Sequence, residues 1–454
     1  MFRKIHHIHF VGIGGAGMSG IAEILINLGY RISGSDLSSS GQTLRLGDLG
    51  GKVFIGHRAE QVDGAEVVVY SSAISSDNVE IVAARQKGVP VIPRAEMLAE
   101  LMRLKYGIAV AGAHGKTTTT TLIAAVLARG GLDPTAVIGG KVNSLGSHAK
   151  KGEGEFLVAE ADESDGSFLK LSPTLAVVTT VDREHLDHYK EFSALCSAFL
   201  TFVNKVPFYG LAVLCADQEA IRQMIPRIEK RYVTYGLIGG ADYMAYGVES
   251  EGFKSAFSVL FKGEELGRFV LPIPGLHNVA NALAALAVGL ELSIPLETIR
   301  EALLGYSGVE RRFHYRGEKR GILVIDDYGH HPTEITATLA AARRGWNRPL
   351  VVVFQPHRYS RTRDLLEEFA DAFTQADRVV LTEIYPAGER PLPGISGEKL
   401  FQKIREKGHP SVEFFQKASE IPPYLAGILR GGEMVITLGA GDIWKVGKSL
   451  LEEL

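Results

Sequence analysis

A lysine that follows a glycine-rich turn and opens a run of threonines is suited to holding phosphate. In Gly112-Ala-His114-Gly115-Lys116-Thr117-Thr118 the glycines let backbone N–H groups wrap phosphate oxygens. The Lys116 ammonium can offset β- and γ-phosphate charge, and a Thr hydroxyl of the run can ligate Mg²⁺. The loop is shorter than the standard phosphate loop, which would place a glycine where Val110 stands. Thr117 to Thr121 is a poor helix start by propensity, and a lysine is an odd choice for a purely structural turn, so the segment reads as an ATP site.

Downstream, Glu160-Ala-Asp162-Glu163-Ser-Asp165 sets four carboxylates within six residues, directly after the apolar run FLVA. Such groups repel unless cations offset them, and hard oxygen ligands suit Mg²⁺ beside phosphate. His185, in REHLDHY, could ligate a second Mg²⁺ or orient phosphate. In Gly275-Leu-His277-Asn278-Val-Ala-Asn281 the amides either cap a helix or face a purine edge. Further on come Asp326-Asp327-Tyr328-Gly-His330-His331 and Gln355-Pro-His357-Arg358-Tyr-Ser-Arg361-Thr-Arg363. Guanidinium groups at that spacing suit a carboxylate or phosphate.

A second glycine loop lies near the start, Gly12-Ile-Gly14-Gly15-Ala-Gly17, with Asp36 19 residues beyond Gly17. Glycines there let the backbone approach a pyrophosphate, and Asp36 can accept from a ribose hydroxyl. Alone the pattern says NAD, but a UDP-sugar presents the same pyrophosphate and sugar. Ser71 and Ser72 could add hydroxyl contacts or be ordinary turn serines.

These groups need strands to carry them. HIHFVGIG, YRISGSD, AEVVVYSSAI and VPVIP read as strands alternating with helices, which indicates a doubly wound parallel sheet. YGIAVAGAHGKTTTT opens a second strand–loop–helix unit, continued by FLVAEAD and LAVVTTVD. Residues 241–270 look antiparallel, and NVANALAALAVGLEL is a helix. From about Gly308 a third unit offers four apolar strands, ILVIDDYG, PLVVVFQ, RVVLTEIY and EMVITLGAG. In each unit the polar residues fall at the carboxyl ends of strands, where ligands bind in open parallel sheets.

The 454 residues are too many for one core and indicate three domains. Lys plus Arg is 49 against 52 for Asp plus Glu, so no global field favours nucleic acid or a membrane surface. Cys196 and Cys215 form no CxxC pair, which argues against a disulfide framework or structural zinc. No segment has the length and apolarity of a membrane span, and a cytoplasmic location is expected.

The ordered set GIGGAGMSGIAE, AGAHGKTTTT, EADESDGSF, HLDHY, GLHNVANALAA, GVERRF, DDYGHHPTE and QPHRYSRT resembles the Mur ligases of bacterial peptidoglycan synthesis. The resemblance spans essentially the whole chain and points most to members that add L-alanine to UDP-N-acetylmuramate. It implies three α/β domains: a Rossmann-like UDP-binding domain over 1–105, a P-loop ATPase with a mostly parallel sheet over 106–309, and a Rossmann-like amino-acid domain over 310–454. It implies that Gly14, Gly15, Gly17, Asp36, Ser71 and Ser72 serve UDP rather than NAD. Gly112, His114, Gly115, Lys116, Thr117 and Thr118 would hold ATP, with Thr117, Glu160 and His185 at magnesium.

His277, Asn278 and Asn281 would lie near the nucleotide, Arg312 near its phosphates, and Tyr328, His330, His357, Arg358 and Arg361 around alanine and the acyl phosphate. Where the family often has Thr-Asn and Asp-His, this chain has Thr179-Thr180 and Glu184-His185. The implied chemistry is carboxylate activation by ATP, then capture by the amine, with domain closure excluding water and His330, His331 or His357 as base. The implied assembly is a monomer or homodimer. The rivals are a sister ligase that adds a preformed peptide, a dinucleotide oxidoreductase and a non-catalytic nucleotide sensor.

Overall fold

The computed structural model describes residues 5–71, 73–139 and 149–454. Three sheets carry the chain. The first is parallel throughout, in the order Lys52–Ile55, Arg31–Asp36, His7–Val11, Val67–Tyr70, Val91–Pro93. His7–Val11 is buried along its whole length despite two histidines, because each finds partners. His9 is bonded through Nδ1 to Ser33 Oγ (2.8 Å) and through Nε2 to Glu80 Oε1 (3.2 Å). Glu80 also accepts from Ser35 Oγ at 2.5 Å and faces His57 Nδ1 at 2.8 Å. Burial alone would raise the Glu80 carboxyl, but His9, Ser35 and His57 outweigh it and hold its pKa below the usual range. Strand order reverses at His7–Val11, and the first glycine loop leaves from the carboxyl end of that strand, the place where open sheets bind ligands.

The second sheet has ten strands: Glu264–Leu271, Lys254–Phe261, Tyr243–Glu251, Tyr232–Gly236, Leu211–Cys215, Leu175–Val178, Tyr106–Ala111, Phe156–Ala161, Thr135–Val137 and Ala149–Lys150. Pairing is parallel from Tyr243–Glu251 through to Thr135–Val137. Two-residue turns at 252–253 and 262–263 join the last three strands as the expected hairpins. The threonine run lies in the helix of the expected strand–loop–helix unit, Lys116–Arg129. Thr117 to Thr121 are buried there with Leu122, Ile123, Val126 and Leu127, so packing on the sheet overrides weak propensity.

The third sheet runs His314–Lys319, Ile322–Asp327, Met434–Leu438, Leu350–Phe354, Arg378–Thr382, Val412–Phe415, antiparallel only at its first pair. Its four inner strands are those legible as apolar runs. The two edge strands were not, since HYRGEK is polar and bulged at Tyr315/Gly317 and VEFF is short and only half-buried. Each face has its own core, one around Ile325, Val352, Phe354, Phe369 and Ile436, the other around Val324, Val353, Val435, Ile421 and Leu450.

By compactness the chain divides into two units. One comprises Met1–Tyr246, Ser258–Phe269 and Ala280–Ser307, the other Gly247–Phe257, Val270–Val279 and Gly308–Leu454. Among the described residues, no helix is long and apolar enough to cross a membrane.

Candidate active site

In the first unit, the strand Tyr106–Ala111 ends in a loop whose Gly112 (φ 137°) and Gly115 (φ 81°) occupy backbone regions suited to glycine. A Cβ on Gly112 would fall onto Thr179 Oγ1 and lie 2.8 Å from Thr180 N. His114 is tied at three points: its N–H donates to Thr180 Oγ1 (2.8 Å), its carbonyl accepts from Thr179 Oγ1 (2.5 Å), and Nε2 lies 3.2 Å from Asp182 Oδ2. Thr180, at which the chain departs from the family pattern, thus buttresses the loop. Asn281 Oδ1 would lie 2.7 Å from a Cβ on Gly115. Thr117 and Thr118 enter the helix directly behind the lysine, both buried.

Lys116 Nζ donates to Gly112 O (2.5 Å) and to Glu163 Oε1 and Oε2 (2.8 and 3.0 Å). Burial would lower its pKa, but Glu163, Asp162 and Glu184 outweigh burial and hold it well above the ordinary lysine range. The lysine is therefore cationic, and a phosphate would have to take over one of these bonds. Glu163 and Glu184 offer one oxygen each and His185 a ring nitrogen, all within 4.8 Å of one another. Two hard oxygens and an imidazole beside a phosphate loop fit a divalent cation such as Mg²⁺. His185 itself has positive φ (58°) and precedes the short helix Leu186–Tyr189.

Glu160 belongs elsewhere in the cluster: its Oε1 accepts from Gly139 N at 2.6 Å. With Asp162 it lines a cavity of about 320 Å³ whose wall also includes Gly15, Gly17, Ser71, Arg94 and Lys116. Asp36 Oδ2 accepts from Gly14 N (2.9 Å), so this carboxylate braces the first glycine loop as well as ending its strand. Ser71 Oγ accepts from Ala73 N at 3.4 Å. Ser72 lies outside the described residues.

In the second unit, Ile322–Asp327 and Leu350–Phe354 flank Met434–Leu438, so the loops beyond the two outer strands meet above the middle one. His330 and His357 come together there, ring centroids 5.8 Å apart. His330 N donates to Glu334 Oε2 (3.0 Å), and its Nδ1 lies 3.1 Å from Tyr328 O. Arg311 and Arg312 lie over the Tyr328 ring at 5.1 and 5.2 Å, and Arg312 pairs with Glu334 at 3.5 Å. His331 caps the helix Pro332–Gly345 by accepting from Thr333 N (3.3 Å). That gives it a structural task.

Arg361 Nη1 is 3.4 Å from His357 Nδ1. Burial first, then the neighbouring His330 and the positive charges of Arg361, Arg358 and Arg311, push the His357 ring down to about 3. The cluster is a cationic pocket around a neutral imidazole, suited to an incoming carboxylate. His277 and Asn278 open the helix Leu276–Glu291, where Asn278 Nδ2 donates to Pro274 O at 2.7 Å, a helix-start bond.

Several groups of these sites carried no sequence signal. Arg94 starts the helix Arg94–Met102, pairs with Asp162 (3.3 Å), and approaches Gly17 so closely that a Cβ there would lie 2.5 Å from its Nη1. No motif marks it. Glu163 stood among the four acidic residues, but only the fold singles it out as the partner of Lys116. Tyr385, read above as the end of the strand RVVLTEIY, lies with Glu389 in the loop beyond Arg378–Thr382.

Three family models match in order: the Mur ligase family catalytic domain over residues 7–106, the Mur ligase middle domain over 110–289, and the Mur ligase glutamate ligase domain over 311–441. A UDP-N-acetylmuramate–L-alanine ligase of Geotalea uraniireducens is 57% identical over 454 residues, covering 100% of this chain and 99% of its own. The crystal structure of UDP-N-acetylmuramate-alanine ligase MurC from Thermotoga maritima superposes with a TM-score of 0.83 at 31% identity, covering 98% of each chain. A murein peptide ligase from Psychrobacter arcticus shares the fold, with a TM-score of 0.71 at 24% identity over 99% of this chain and 98% of its own. With its three sheets, its two glycine loops and matches along nearly its whole length, the chain belongs to the Mur ligase family.

Proposed function

We propose that the protein joins L-alanine to the carboxylate of UDP-N-acetylmuramate, with ATP hydrolysed to ADP and phosphate, in peptidoglycan synthesis. The observation that carries this reading is the shared cavity: Gly15 and Gly17 of one nucleotide loop and Lys116 of the other line the same space. A substrate with a UDP end and a carboxylate end can therefore meet a phosphoryl donor there. We assign UDP binding to residues 1–105, ATP chemistry to 106–309 and the amine substrate to 310–454.

In the first step a muramoyl carboxylate oxygen attacks the γ-phosphorus, the bond to the β–γ bridging oxygen breaks, and ADP leaves. Lys116 offsets charge on the transferring group, and the loop N–H groups between Gly112 and Thr118 hold the phosphates. Glu163, Glu184 and His185 would hold one Mg²⁺, and Thr117 with Glu160 would serve a second, the ions when bound neutralising phosphate oxygens. Arg94, at Gly17 and Asp162, is placed for the UDP pyrophosphate. Asp36, Ser71 and Ser72 would complete the UDP site, and His277, Asn278, Asn281 and Arg312 the ATP site.

In the second step the free amine of alanine attacks the acyl carbon, a C–N bond forms, and the C–O bond to phosphate breaks. Arg358 and Arg361 hold the alanine carboxylate. The neutral ring of His357 adds no charge beside the amine, and His330 next to it would take the proton lost from nitrogen. We assign the enzyme to the cytoplasm, where substrates of this kind are made, and expect a monomer or homodimer.

The test is phosphate release from ATP with Mg²⁺ and UDP-N-acetylmuramate, with and without L-alanine. Release that needs both, with a product heavier by one alanyl residue, is expected. Turnover with a preformed peptide but not with alanine would move the chain to the sister activity, and no release with any amine would overturn the ligase reading.

A further inference from the structure

Arg358 has φ 72° and ψ 138°, a backbone region that side-chain-bearing residues rarely adopt. Such a conformation persists only where the surroundings over-determine it. One segment supplies the bonds on both sides of it. Tyr385 N donates to Pro356 O (2.8 Å), and Arg358 N donates to Tyr385 O (2.9 Å). Glu389 accepts twice from the far side, from Ser360 N at 3.0 Å and Ser360 Oγ at 2.5 Å.

The Tyr385 ring also stacks almost parallel on His357, with centroids 5.5 Å apart and planes 7° from each other. Gly441 gives that ring its room, since a Cβ there would lie 2.7 Å from Tyr385 Cγ and 2.5 Å from Gln355 Oε1. Ala387 and Gly388, both at positive φ (49° and 87°), form the turn that returns Glu389 to the same segment as Tyr385. The helix carrying Arg361, Tyr359–Asp364, begins inside this clamp.

We propose that Tyr385 and Glu389 are positioning residues: they hold His357, Arg358 and Arg361 in the geometry that grips the amine substrate's carboxylate, and so set its affinity. This rests on the reading that those groups receive L-alanine. The ring stack needs the aromatic face of Tyr385 and not its hydroxyl, whereas Glu389 needs two acceptor oxygens.

Steady-state kinetics on Tyr385→Ala, Tyr385→Phe, Glu389→Ala and Glu389→Gln, with KM measured separately for L-alanine, ATP and UDP-N-acetylmuramate, tests it. Tyr385→Ala and Glu389→Ala should raise the L-alanine KM about tenfold or more, since small misplacements of binding groups are costly. The other two KM values should stay within about twofold, Tyr385→Phe should match the wild type, and Glu389→Gln should fall between. An unchanged alanine KM in both alanine variants, or an equal rise for all three substrates, would overturn the proposal. If Glu389→Ala fails to fold, the Tyr385 pair decides alone. Should the wild type accept only a peptide amine, the alanine reading falls, and the same variants are scored on the KM of that peptide.

Discussion

Lys116 concentrates much of the proposed chemistry in one side chain. It is held cationic by buried acid and bonded to the loop it must release when phosphate arrives. Lys116→Ala should lower kcat/KM by about 10²–10³-fold or more, the range for losing one charge-stabilising donor, and full retained turnover would remove it from the mechanism. His357 gives a pH prediction with a definite sign. Its folded pKa of about 3 lies below the ordinary 6.5, so between those values the unfolded chain binds a proton that the folded one does not. Stability should therefore fall as pH drops from about 6.5 towards 3, and acid titrations of Tm should show a shallower fall for His357→Gln. At this scale the sequence was informative wherever a motif is local. Gly112 to Thr118 could be read directly, because the phosphate loop is one contiguous turn. Glu163, Arg94 and Tyr385 could not, because each acts through a residue 47, 68 or 28 positions away.

At the scale of elements, the turn after Tyr106–Ala111 is fixed by what surrounds Gly112 as much as by its φ. Gly112→Ala would both strain the backbone, at a cost of about 1–3 kcal/mol, and press on Thr179. The expected result is a lowered Tm and an ATP KM raised about tenfold or more, by misplacing the loop N–H groups. A variant with unaltered ATP affinity would show that the loop tolerates the shift. Strands that are buried on both faces, such as Leu350–Phe354 and Met434–Leu438, were legible because a run of apolar β-branched residues has few other fates. His7–Val11 is equally buried but carries two histidines, and its burial becomes intelligible only once Ser33 and Glu80 are seen beside it. Edge strands such as Val412–Phe415 lack that signature, since they have only one neighbouring strand and stay half-buried.

On the scale of the whole molecule, two compact units need not unfold together. Calorimetry should resolve more than one transition. UDP at about 100 times its Kd should stabilise the unit bearing the first glycine loop by about 2.7 kcal/mol, leaving the other transition in place. A single transition that moves as one body would argue for full coupling. The third sheet has a different whole-chain property. Its middle strand, Met434–Leu438, is the last of the six to be synthesised, although Ile322–Asp327 and Leu350–Phe354 on either side are made about a hundred residues earlier. On a ribosome adding about 5–20 residues per second, the first sheet, complete by Pro93, can settle long before the third has its centre. A nascent or prematurely terminated chain ending before Glu433 should thus bind UDP yet leave the cleft-forming strands unjoined. Limited proteolysis of such a chain should spare the five strands of the first sheet and cut freely beyond Gly308. In a chain assembled in this order, the fold proposed to bind UDP would be complete before the sheet proposed to receive the amine has its middle strand.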